Sequence, residues 1–148
     1  MMNKIDDGKL VVDDHGTTYY CLTNIARNHS NETPGYMVQG WLRSRNTLEF
    51  LKTWEQDYNT DFKLQEYESL LDRIKAGNFT LTPKQWIEKT GATGIVSKQG
   101  KSGGTYAHPI IACEFMTWIY PQYKMLLIKT FNLSQKWKKI KKEKNINL

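Results

Sequence analysis

The residues of this chain that most invite a chemical role run from Gly94 to Gly104, in the order Gly-Ile-Val-Ser-Lys-Gln-Gly-Lys-Ser-Gly-Gly. They nearly spell a phosphate-binding loop. That motif has four residues between its glycines, and here Gly94 and Gly100 enclose five. It also needs a helix directly after its lysine and serine, aiming backbone N–H groups at the phosphates. Thr105-Tyr106-Ala107 reads instead as a strand, so a nucleotide cradle is rejected. What remains is a soft, cationic hairpin tip. Lys98 and Lys101 are expected to oppose each other across a Gln99-Gly100 turn, where like charges destabilise and a bound phosphate relieves them. Gly100, Gly103 and Gly104 let backbone N–H groups come close to such a phosphate, with Ser97 and Ser102 beside the lysines. The same residues also suit an ordinary solvated tip.

A short helix precedes the tip. Thr82 is a cap and Pro83 a first-turn proline, and the helix stops at Gly91 after Thr90. Trp86 and Ile87 are expected inside, with Lys84, Gln85, Glu88 and Lys89 outward. A short helix followed by a basic hairpin is how winged helix-turn-helix modules address DNA. Gln85 is the residue placed to read a base edge, whereas Glu88 opposes a helix docked flat.

Other chemistry finds no constellation. The carboxylates between Glu49 and Asp72 are spread around helices, without the clustering a nuclease metal needs. Of the three histidines, His15 falls in a turn, His29 at a helix end and His108 at a helix start. His108 stands near Cys113 and Glu114, but Cys113 lies on an apolar helix as a small core residue, and His108 is better placed as a cap. Zinc-ligand spacing is absent. Trp41, Trp54, Trp86 and Trp118 fall on apolar helix faces and are expected in the core, leaving Trp137 exposed. No catalytic residue, metal ligand or cofactor is expected.

The elements that must position the tip follow from periodicity and breakers. Lys9–Val12 and Thr17–Leu22 read as a hairpin around Asp13-Asp14-His15-Gly16. Thr23 is expected to cap a helix to His29, and Tyr36–Arg45 a helix burying Trp41 and Leu42. Asn46 and Glu49 suggest a capping box for a helix to Tyr58. A helix from Leu64 to Ala76 ends at Gly77, and Phe79-Thr80-Leu81 reads as a short strand. After the hairpin, His108-Pro109 opens an apolar core helix, and Pro121 starts a last helix running past Trp137. The fold class is α+β: a single compact domain with a winged-helix-like core over residues 1–134 and a lysine-rich helical extension over 135–148.

Composition sets the outer bounds. The 148 residues are 39% hydrophobic and 12% aromatic, enough for a core and against disorder. Mean hydropathy of −0.63 opposes a membrane span. Residues 1–16 make no signal peptide, and Cys21 and Cys113 no disulfide framework, which points to the cytoplasm. Six lysines of residues 135–148 stand against Glu143, so +5 of the net +6 sits there and residues 1–134 carry +1. Bulk basicity is therefore weak evidence for a polyanion partner. Locally, an acidic block over residues 49–72 precedes a basic one over 73–104, which suits one face for a polyanion or two solvated faces.

Three segments together resemble the KilA-N domain family: Leu22-Thr-Asn-Ile-Ala26, Trp41-Leu-Arg-Ser-Arg-Asn-Thr-Leu-Glu-Phe-Leu51, and Gly100-Lys-Ser-Gly-Gly-Thr-Tyr-Ala-His108. The likeness runs from about Lys9 to Leu133. It implies a DNA-binding module of phage, bacterial and large DNA-virus proteins, related to the fungal APSES domain, with a core like a winged helix. By that resemblance Thr82–Thr90 is the second helix of a helix-turn-helix and Ile95–Tyr106 the wing. Lys98, Gln99, Lys101 and Ser102 then fall where wing residues meet double-stranded DNA. Many relatives have Arg and an aromatic at Lys101 and Ser102, so phosphate contact here should be less oriented. Relatives also usually have a charged pair at Pro109-Ile110. Many carry a C-terminal domain, sometimes a nuclease or an antirepressor partner, which these 148 residues do not accommodate. The alternative function is an antirepressor-like protein-interaction module using the acidic 49–72 face, Glu55, Asp57 and Glu66 included.

Overall fold

The computed structural model describes residues 5–6, 9–11, 16–29, 33–77, 79–100 and 103–146. They form an α+β structure of five strands and seven helices. The strands β1 (Ile5–Asp6), β2 (Lys9–Val11), β3 (Thr18–Cys21), β4 (Ile95–Lys98) and β5 (Gly104–Ala107) make one antiparallel sheet in the order β1-β2-β3-β5-β4. The hairpin predicted at residues 95–107 is therefore joined to the N-terminal strands through β3 and β5, Cys21 opposite Tyr106 and Tyr20 opposite Ala107. Alternation sends Tyr19 and Cys21 inward, where they pack with Tyr106 and Val96.

The first unit of the chain ends at Phe115. Its helices are α1 (Leu22–His29), α2 (Pro34–Arg43), α3 (Arg45–Tyr58), α4 (Leu64–Lys75), α5 (Pro83–Thr90) and the start of α6 (Pro109–Ile119). The core of this unit holds Leu22, Trp41, Leu42, Leu48, Leu51, Trp86, Ile95, Ile111 and Phe115, all fully buried. Trp41 meets Phe115 edge-on at 5.1 Å, and its indole N–H donates to the Glu114 carboxylate, so the one polar atom of a buried ring is satisfied. The second unit begins at Met116 and contains α7 (Pro121–Lys144), a helix that continues through residues 134 and 135 without interruption.

Several local expectations need correction. Thr23 lies inside α1 and caps nothing; its hydroxyl accepts from the Thr105 N–H at 3.1 Å. The capping box at Asn46 does not form: α3 starts after Ser44 without a side-chain cap, and Glu49 pairs with Arg45 at 3.1 Å. Phe79-Thr80-Leu81 joins no strand, because Leu81 is buried and the Arg73 guanidinium covers the Phe79 ring at 4.0 Å. Trp118 is 43% exposed rather than core, and Cys113 is half-buried. The strand pair β1–β2 carried no sequence signal, and the turn at Asp13–His15 lies outside the described residues.

Candidate nucleic-acid interface

The helix α5 is defined by its own ends. The Thr82 hydroxyl accepts from the Gln85 N–H at 3.2 Å, and the Gln85 side-chain oxygen accepts from the Thr82 N–H at 2.9 Å, a reciprocal capping box. At the far end Gly91 takes φ +70°, a left-handed turn that a side chain opposes, and the helix stops. Trp86 is buried and edges against Tyr67 at 6.1 Å, which seats α5 on α4. Lys84, Glu88 and Lys89 project outward, as predicted, with Lys84 and Glu88 3.9 Å apart. Both are about two-thirds exposed, so that pair constrains little. Gln85 lies partly buried with its oxygen engaged in the cap, not projecting as a free base-reading group.

Between α5 and β4 every carbonyl or N–H named here meets a group from another part of the unit. The Thr90 carbonyl accepts from the Lys63 N–H at 2.8 Å, and the Gly91 carbonyl from Asn59 Nδ2 at 2.9 Å. The Thr93 carbonyl accepts from the Tyr19 hydroxyl at 2.9 Å, and the Gly94 carbonyl from the His108 N–H at 2.9 Å. The N–H groups of Thr93 and Gly94 both donate to Glu55, at 2.6 and 3.0 Å. Gly94 has no space for a side chain, since a Cβ there would lie 2.4 Å from Ile111 Cδ1 and 2.8 Å from Trp54. This glycine serves packing; it does not line a phosphate loop.

His108 does what a cap should. Its Nδ1 accepts from the Ile110 N–H at 3.1 Å, and its ring sits among Tyr19, Trp54 and Tyr58 at 5.0 to 5.7 Å. Among the described residues no group of three His, Cys, Asp or Glu side chains could hold a metal ion. No described helix is long and apolar enough to cross a membrane.

The hairpin register differs from expectation. Ser97 pairs with Thr105 and Lys98 with Gly104, so the tip is the five residues from Gln99 to Gly103 and Lys98 does not oppose Lys101. Inside it the Gly103 N–H donates to the Gly100 carbonyl at 2.9 Å, and Gly100 turns at φ +97°. Gln99 and Gly100 are exposed, Ser97 and Lys98 half-buried. Lys98 has no ion-pair partner among the described residues; Lys101 and Ser102 lie outside them. Gly104 stands against Thr23 and Cys21 at the base, away from the tip. A cleft of about 440 Å³ separates the outer side of α5 from β4, with Ile87, Ile95 and Val96 inside and Lys84, Ser97 and Gln99 on its walls.

Sequence reasoning missed Glu55. It was counted with the acidic face, yet it is 1% exposed. A signal was present: Glu55 stands four residues after Leu51 and seven after Leu48, on the buried stripe of α3. Charge reversal at Glu55 is therefore no test of a protein-facing surface, although Glu49, Asp57, Asp61, Glu66, Glu68 and Asp72 are exposed.

A family model described as the KilA-N domain matches residues 3–145. Protein kilA of Escherichia phage P1 is 41% identical over 56 residues, which make up 35% of this chain and 21% of that protein, so the chain spans only a fraction of that relative. No solved structure is similar to the chain.

Proposed function

Since the chain belongs to the KilA-N domain family, whose members are generally DNA-binding modules of phage proteins, we propose that it binds double-stranded DNA without catalysing a reaction on it, through α5 and the β4–β5 hairpin acting as helix and wing. In this reading Lys98, Lys101, Gln99 and the tip glycines hold phosphates, Lys84 and Lys89 flank them, and the lysines between 136 and 144 add sequence-independent attraction. A cytoplasmic, phage-related regulatory role goes with it.

One observation carries the reading. The outward lysines of α5 and the uncommitted Lys98 sit on two elements whose connection is hydrogen-bonded residue by residue to the rest of the unit. Two cationic elements held in fixed relation reach a duplex without first losing conformational entropy.

The test is a fluorescence-anisotropy titration of a labelled duplex at two salt concentrations. With about two to four phosphate contacts, the slope of log affinity against log salt should lie near −2 to −4. The double variant Lys98→Glu, Lys101→Glu should lose binding while keeping its circular dichroism. Undiminished affinity in that variant removes the hairpin from the interface. Absence of salt-dependent binding, with a protein partner lost on reversal of Asp57 and Glu66, establishes the antirepressor-like alternative instead. Incubation with plasmid and Mg²⁺ or Mn²⁺ should leave the DNA unnicked.

A further inference from the structure

We propose that Glu55 is the positioning residue of this interface: through the backbone of residues 93 and 94 it sets the orientation of the β4–β5 hairpin relative to α5, and so decides whether both reach one duplex together. The functional half of this inference rests on the DNA-binding reading above. The geometric half does not.

Glu55 extends from the buried face of α3, and its carboxylate is used completely. Oε1 accepts from the Thr93 N–H at 2.6 Å, from Asn59 Nδ2 at 3.1 Å and from the Thr93 hydroxyl at 3.3 Å. Oε2 accepts from the Gly94 N–H at 3.0 Å and the Thr93 N–H at 3.1 Å. A buried carboxylate is tolerated only when its oxygens are satisfied in this way. Four residues separate Thr90, the last of α5, from Ile95, the first of β4, so two anchored N–H groups constrain most of that connection.

Glutamine cannot replace the group. Both oxygens accept from backbone N–H donors, and a carboxamide offers only one acceptor oxygen; whichever way it is turned, its NH₂ faces an N–H. The connection should then lose an anchor while the helices and sheet around it keep theirs. A glutamate of purely structural value would lower the unfolding free energy and leave the contacts to DNA in number and kind.

The experiment uses the full chain and its Glu55→Gln variant, each at a temperature where it is folded. Residual dipolar couplings report the orientation of the hairpin relative to α5 without DNA, and anisotropy reports affinity and salt slope for a short duplex. The variant should show a changed orientation, about tenfold weaker binding and a slope shallower by about one, the signature of a lost phosphate contact. In its background Lys98→Ala should change affinity less than twofold, because the wing no longer engages. An unchanged orientation overturns the proposal, as do wild-type affinity and slope, or effects of Glu55→Gln and Lys98→Ala that multiply as independent sites do. If Glu55→Gln does not fold, Tyr19→Phe, which frees only the Thr93 carbonyl, is read by the same criteria. If the wild type binds no DNA, the functional reading fails by itself and the dipolar couplings alone decide what Glu55 does.

Discussion

The hydroxyl of Thr23, in the first turn of α1, accepts a hydrogen bond from the backbone N–H of Thr105 in β5, 82 residues later, at 3.1 Å. This bond ties the first helix to the strand at the root of the candidate wing. Thr105 is buried, so its N–H has no ready replacement. Thr23→Val keeps the shape and removes the acceptor, which should cost about 1–3 kcal/mol of stability. Thr23→Ser should restore most of it. Urea unfolding of the three proteins checks both statements, and equal midpoints for valine and threonine would show that the bond contributes nothing.

Gly94 should tolerate no larger residue. The Cβ of Gly94→Ala would press on Ile111 Cδ1 and on the Trp54 ring. Overpacking of that kind costs about 1–3 kcal/mol. Ile111→Val deletes the Cδ1 atom, so in the double variant part of the loss should return although each single change destabilises. Additive losses in a double-mutant cycle would mean that the site relaxes by another route.

Lys98 and the α5 lysines should differ from the C-terminal lysines in what they change. Lys98→Ala should reduce the magnitude of the salt slope by about one. Replacing Lys136, Lys138 and Lys139 by Gln should weaken binding to unrelated duplexes to the same degree. Titrations against several sequences separate the two effects. A C-terminal variant that alters preference among sequences contradicts the division.

Tyr67 and Tyr106 should be the last of the eight tyrosines to ionise. Burial chiefly raises the Tyr67 hydroxyl above its ordinary 10.0, with the Glu49 carboxylate adding to it, and this hydroxyl has no hydrogen-bond partner. Burial raises Tyr106 likewise, with Cys21 beside it. Because the folded state holds these protons more tightly than the unfolded chain, their contribution is complete below pH 10.0 and falls away as the pH rises through the raised folded values. Phenolate absorbance during an alkaline titration should show two late groups coinciding with unfolding. Eight tyrosines titrating together before unfolding would contradict it.

Local chemistry made much of the molecule legible without coordinates. The Thr82–Gln85 capping box needs only residues three apart, and Gly91 only its own backbone freedom, so α5 could be bounded by inspection. His108 as a cap and the Pro121 start of α7 are of the same kind. Asn46 failed because a capping signature competes with neighbours: Ser44 already takes the extended backbone that starts α3, and Glu49 finds Arg45 one turn away. The hairpin was visible, but its register was not. A glycine-rich tip imposes no turn length, and the pairing of Lys98 with Gly104 rests on where β5 is held by β3.

By itself the sequence determined the parts: a short capped helix, a lysine-bearing glycine-rich hairpin, a basic C-terminal helix and the family to which the chain belongs. Each depends on interactions within a few residues or on a pattern of residue types. Only the tertiary structure decided that Glu55 is a buried anchor and not part of an acidic surface, and that Gly94 answers to Ile111 and Trp54. It alone joined Thr23 to a strand far along the chain. Those facts depend on which groups meet across dozens of residues, and burial makes such meetings decisive because a polar atom removed from water must find its partner inside the protein.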